Sequence, residues 1–276
     1  MGPPPVFECL SNAVYSIGRR ASRWGLGLAV PVLAVIAIAA TSDTAEAKYA
    51  AFVIDANTGQ VFYARNADTR RFPASLTKMM TLYMAFEALE TRKLTADQPL
   101  PVSRRAAGQA PSKLGLKAGQ TITVEEAINA LSVKSANDVA TVVGEAIGGT
   151  EANFARLMTR RAHALGMTNT TFMNASGLPN SRQKSTARDM ATLGKALLDN
   201  FPGYYSYFSK LNYKHNKRTY RNHNKLLRTY EGMDGIKTGY IRASGFNLVA
   251  SAERDGVRLI GVVFGVDLFR GGLALQ

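Results

Sequence analysis

The sequence predicts a mixed α/β fold of the α+β type, in which strands from both ends of the chain join one antiparallel sheet and a helix-rich middle forms a second lobe. Two observations carry this reading. Runs rich in β-branched and aromatic residues lie near the start (residues 50–66) and near the end (235–265), each folded back by a turn signal. Between residue 75 and about residue 200, apolar residues recur at helical intervals instead. Strands that far apart in sequence, with helices between them, bury their apolar faces best by sharing a sheet that the helices cover.

The elements follow in order. AAFVIDANTGQVFYARN reads as a hairpin around Asn57-Thr58-Gly59. Residues 75–89 read as a helix, with Met79, Leu82, Tyr83, Phe86 and Leu89 on helical spacing and Pro73 suited to the position just before its start. Helical stretches are expected at 124–133 and 138–147, with Glu125-Glu126 favoured at a helix N-terminus. GIKTGYI reads as a strand, and NLVASAERDGVRLIGVVFG as a hairpin turning at Asp255-Gly256. No internal repeat or low-complexity linker interrupts the chain.

Three short motifs occur along this frame: Ser75-Leu76-Thr77-Lys78, Ser135-Ala136-Asn137 and Lys237-Thr238-Gly239. A serine hydroxyl needs a base before it can act as a nucleophile. Lys78, three residues after Ser75, falls on the same helix face. An ordinary lysine is protonated at neutral pH, so Lys78 must be neutralised by burial or by a nearby cation. Leu76, Met79 and Met80 offer the apolar surroundings, and Lys237 the cation. Ser135 and Asn137, at a junction between helices, suit proton relay to a leaving group and hydrogen bonding to Lys78 or a substrate amide. Lys237 and Thr238 suit a substrate carboxylate, and Gly239 allows close backbone approach. The amides of Ser75 and Tyr240 suit an oxyanion hole. Each motif alone equally suits a helix cap, a capped turn or a strand end; the ordered trio is the signal. His163, His215 and His223 lack metal-ligand spacing, so no metal and no cofactor is expected. His163 reads as structural, and the other two as surface residues.

The ordered trio resembles that of class A β-lactamases and penicillin-binding proteins. PASLTKMMTLYMAFEAL, LSVKSANDVATVVGEAIGG, FARLMTRRAHALGMTNTTFMNASGLP and GMDGIKTGYIRASGFNLVASAERDGVRLIGVVFG extend the resemblance to the serine D-alanyl-D-alanine carboxypeptidases, the low-molecular-mass penicillin-binding proteins, over Tyr49 to Gly265. The resemblance implies a five-stranded sheet with a cleft between lobes. It also implies an acyl-enzyme on Ser75 formed from a peptidoglycan stem peptide, and β-lactams as inhibitors that acylate the same serine. It makes Ser75, Lys78 and Ser135 catalytic, and Asn137, Lys237, Thr238, Gly239 and Tyr240 substrate-binding. The alternatives are a β-lactamase and a non-catalytic penicillin- or wall-binding module. The first lacks an E-x-x-L-N segment between Ser135 and Lys237 to activate a deacylating water.

Residues 1–47 read as an export signal: Arg19, Arg20 and Arg23, then an apolar run to Ala40, then Ala45-Glu46-Ala47 as the cleavage site. Cleavage near Ala47 predicts a periplasmic protein with its catalytic domain at 48–265. VDLFRGGLALQ, residues 266–276, reads as a shortened or atypical tail, because the family usually continues with a helix on the sheet. The lone cysteine, Cys9, lies in the signal, so the exported chain relies on its core rather than on disulfides. The formal charge is +14. From Lys210 to Arg228 there are seven Lys/Arg and no acid. That run reads as a solvated surface hairpin, or as a contact for anionic wall polymer or a membrane surface. Export argues against nucleic acid as a partner.

Overall fold

The computed structural model describes residues 49–266. The predicted export signal and all of the tail except Val266 lie outside the described residues. Strands β1 (Ala50–Asp55) and β2 (Val61–Arg65) form the first hairpin. Strands β7 (Met233–Ile241), β8 (Gly245–Arg254) and β9 (Val257–Val266) form the carboxy-terminal part of the same sheet. The order is β2-β1-β9-β8-β7, with every pair antiparallel. The two ends of the described chain therefore share one antiparallel sheet, as their patterning implied, and its five strands are the number the resemblance implied.

One sheet face is lined by Phe52, Ile54, Val249, Ile260, Val262 and Phe264, all buried. Period-two alternation delivers these residues to one side. A helix, numbered α6 (Ala187–Asn200), lies over them. Its approach is close enough that a methyl group on Gly194 would stand 3.2 Å from Ile236 Cδ1 and 3.4 Å from Ile260 Cγ2.

The middle of the chain supplies α1 (Thr77–Glu90), a short β3 (Pro99–Pro101) with α2 (Arg104–Ala107), β4 (Thr121–Thr123), α3 (Val124–Asn129), α4 (Asn137–Gly148) and α5 (Glu151–Ala164). A second hairpin, β5 (Asn212–His215) with β6 (Arg218–Arg221), and a one-turn α7 (Leu226–Thr229) lead back to the sheet. Helix α1 differs from the one-faced helix that its spacing suggested. Every residue from Thr77 to Phe86 is buried, as expected of a helix wrapped on all sides by other elements. Each fully buried Met, Leu or Phe side chain contributes about 1.5–3 kcal/mol, so α1 is a rigid platform. Among the described residues no helix is long and apolar enough to cross a membrane.

Candidate active site

Ser75 sits in a single 3-10 turn, Ala74–Leu76, which hands over directly to α1. The residue before it, Ala74, has φ +49°, a left-handed conformation that a non-glycine residue holds only when its surroundings enforce it. Two glycines do the enforcing. A methyl on Gly177 would fall 1.8 Å from the Ala74 carbonyl oxygen, so the 176–178 loop presses its bare backbone against the turn. On the other side, a methyl on Gly239 would lie 3.0 Å from the Ser75 amide nitrogen. Edge strand β7 is thus pressed against the turn that carries the hydroxyl.

Lys78, on the first turn of α1, is fully buried. Its Nζ lies 3.1 Å from Ser75 Oγ, 2.7 Å from Asn137 Oδ1 and 2.5 Å from the Ser176 carbonyl oxygen. Burial, reinforced by the Lys237 cation and opposed by Asp138, holds the amine well below its ordinary range. A neutral amine has two N–H groups and one lone pair. With its proton off, the Asn137 and Ser176 oxygens would accept both N–H groups and leave the lone pair for Ser75. The site therefore presents an oriented base to an oriented hydroxyl.

Asn137 is the first residue of α4, not part of a linker between helices. Its amide is fixed in one orientation, because Nδ2 donates to the Ala110 carbonyl at 2.8 Å while Oδ1 accepts from Lys78. Asp138 holds the loop in front of it by accepting from the backbone amides of Leu114, Gly115 and Leu116. The helix expected at 124–133 changes character at Ala130: a π-helical segment, Ala130–Lys134, ends in Ser135 with φ +59°. Such segments recur where a side chain must be aimed. Ser135 Oγ is buried and has no hydrogen-bond partner among the described residues.

Lys237 is buried on β7 and donates to the Thr238 carbonyl at 3.1 Å. Burial pushes its amine down to about 7. Thr238 is half-buried beside it. The Tyr240 side chain is 55% exposed and lies 4.5 Å, ring to ring, from Phe246. The three motifs therefore meet around one hydroxyl.

A family model described as D-alanyl-D-alanine carboxypeptidase matches residues 36–268. The chain belongs to that family. It is 36% identical to the D-alanyl-D-alanine carboxypeptidase DacF of Bacillus subtilis over 82% of this chain and 59% of that protein. Among solved structures, penicillin binding protein 5 from Haemophilus influenzae superposes with a TM-score of 0.76 and 35% identity, over 79% of this chain and 64% of that one. Penicillin-Binding Protein D2 from Listeria monocytogenes, in its ampicillin-bound form, gives 0.72 and 32% over 78% and 88%. The chain spans 59% of the length of DacF and 56% of that of the D-alanyl-D-alanine carboxypeptidase DacA of Escherichia coli, less than two thirds of either.

Three participants in the carboxypeptidase-like site had no motif to announce them. The Ser176 carbonyl is an acceptor for Lys78, and backbone acceptors carry no residue signature; the only trace was the glycine in NASGLP. Asp138 carries no signal in the sequence beyond opening a helical stretch, yet it anchors a distant loop. His223 reads as a surface residue and is exposed. Even so, desolvation, followed by the Lys237 and Lys134 amines, pushes its imidazole down to about 4.

Proposed function

We propose that this chain is a serine D-alanyl-D-alanine carboxypeptidase that trims peptidoglycan stem peptides through an acyl-enzyme. In this reading Lys78 accepts the Ser75 proton, and Ser75 Oγ attacks the carbonyl of the penultimate D-Ala. The Ser75 and Tyr240 amides stabilise the oxyanion, a contribution of about 3–4 kcal/mol per donor in comparable sites. The C–N bond breaks as Ser135 relays a proton to the departing amine, and terminal D-Ala leaves. Water then adds to the ester carbonyl, the ester C–O bond breaks, and Ser75 Oγ regains its proton. Asn137 orients Lys78, while Lys237 and Thr238 hold the terminal carboxylate over Gly239. β-Lactams acylate the same serine and act as inhibitors. The protein works outside the cytoplasm, exported by residues 1–47 into the periplasm, in wall biogenesis and cell shape.

The observation that supports this most is the fully buried Lys78 amine, held by the Asn137 and Ser176 oxygens 3.1 Å from Ser75 Oγ. The test incubates the protein with a fluorescent penicillin and, separately, with a diacyl-D-Ala-D-Ala peptide. Covalent labelling together with release of free D-alanine is expected, and both vanish in Ser75→Ala. Rapid turnover of the drug would make the protein a β-lactamase instead. Labelling without D-alanine release would make it a penicillin-binding module.

A further inference from the structure

The cleft reads a single peptide end, but the surface beside it carries repeated positive charge. Hairpin β5–β6 pairs Asn212 with Arg221, Tyr213 with Tyr220, Lys214 with Thr219 and His215 with Arg218. Its two faces differ because side chains alternate across a strand. The inner face holds half-buried Tyr213, His215 and Tyr220, with His215 3.8 Å from Glu126 and the Tyr220 ring 5.3 Å from Lys134 Nζ. Lys134 immediately precedes Ser135, so the hairpin rests on the turn that aims that serine. The outer face carries Asn212, Lys214, Thr219 and Arg221, Lys217 lies in the turn, and Arg218, opposite His215 on the other face, stands at the turn end; all are exposed. Helix α7 extends the surface with exposed Lys225 and Arg228, and the Arg228 guanidinium donates to the Leu211 carbonyl at 3.4 Å.

These cations are uncompensated. No acid occurs between Lys210 and Arg228. Among the described residues none of Lys214, Lys217, Arg218, Arg221 or Lys225 is in an ion pair, whereas Arg105, Arg161, Arg188 and Arg258 all have carboxylate partners. A concentrated, unpaired field of one sign at the rim of a cleft attracts a partner bearing several negative charges. Membrane attachment draws on buried apolar area as well as charge. Here Leu211 is the single exposed large hydrophobic of the hairpin region, so the chemistry favours a hydrophilic polyanion.

We propose that the outer face of hairpin β5–β6, extended by Lys225 and Arg228, docks a peptidoglycan strand through the carboxylates of stems neighbouring the one that enters the Ser75 cleft. This rests on the wall stem peptide being the substrate. Many weak carboxylate contacts on one polymer act together, because once the first stem is held the others are at high local concentration.

The test compares the protein with the quadruple variant Lys214→Gln/Lys217→Gln/Arg218→Gln/Arg221→Gln. Co-sedimentation with insoluble peptidoglycan at low and high salt gives the affinity. D-alanine release is measured on the wall polymer and on the diacyl dipeptide. The variant is expected to bind the wall about tenfold more weakly, from four exposed charge contacts each of modest strength, and to lose most of the salt dependence. Release from polymer falls, while dipeptide hydrolysis and penicillin labelling stay at the parent level, which also shows that the variant is folded. Arg218→Lys/Arg221→Lys, which keeps the charge, retains wall binding. Equal sedimentation of variant and parent overturns the proposal, as does a parent that does not sediment at all. Loss of binding only to vesicles of anionic phospholipid overturns it in favour of a membrane surface. Hairpin-dependent wall binding by a parent that hydrolyses no dipeptide sinks the hydrolytic reading and leaves this surface standing.

Discussion

Lys237→Met removes the buried ammonium of the third motif while keeping most of the side-chain volume. A free lysine ionises near 10.5, and burial brings this one down to about 7. At 1.36 kcal/mol per factor of ten, keeping the proton on in the folded state costs about 5 kcal/mol. The sign follows from proton counts. Between about 7 and 10.5 the unfolded chain binds more protons at this residue than the folded one. The penalty is therefore complete below pH 7 or so and fades as pH rises through that window. At pH 9 it has fallen to about 2 kcal/mol. Loss of the hydrogen bond to Thr238 offsets about 1 kcal/mol at either pH. The variant is thus expected to melt roughly 10 °C higher than the parent at pH 6 and only a few degrees higher at pH 9. Thermal melts at the two pH values, followed by circular dichroism, provide the readout. Penicillin labelling of the same samples should fall steeply. An equal gain at both pH values, or lower melting temperatures, would refute the argument that a desolvated cation at this position strains the fold.

Three further outcomes are expected. Lys78→Met should slow acylation by about a hundred- to ten-thousandfold, the usual contribution of a positioned base, measured as the second-order rate of penicillin labelling. The same rate in the unaltered protein should rise with pH as Lys78 loses its proton and fall as Lys237 loses its own near pH 7, giving a bell; a flat profile would contradict both assignments. Gly177→Ala drives a methyl to 1.8 Å from the Ala74 carbonyl at a positive φ, so denaturant melts should show a loss of about 2–4 kcal/mol, together with failed labelling.

Sequence and structure agree most where the signal is periodic and least where it is made by the backbone. Alternation in NLVASAERDGVRLIGVVFG was enough to place β8 and β9, and turn chemistry placed the hairpins. The spacing of Met79, Leu82 and Phe86 located α1 but implied one buried face, since no local pattern tells a helix that its other sides will also be covered. The nucleophile region had no visible mark for the 3-10 turn at Ala74–Leu76, because its left-handed alanine is imposed by Gly177, a hundred residues downstream. The π-helical segment before Ser135 was equally hidden: ALSVK reads as ordinary helix, and only tertiary packing gives it the extra residue per turn. Side-chain members of the site were readable because their chemistry demands particular residue types. The Ser176 and Ala110 carbonyls were not, because any residue supplies one.

Strand β9 lies between β1 and β8, so the first strand of the sheet has its long inner neighbour only when the last has been made. A nascent chain arrested before Val257 already holds all three motifs, yet the β1–β2 and β7–β8 hairpins have no strand between them to join them into one sheet. Topologies that join termini this way are closed late, after long loops have been brought together. Assembly of the nucleophile's surroundings is thereby tied to the last strand of the sheet: a polypeptide that stops short of Val257 carries every reacting group and no joined sheet.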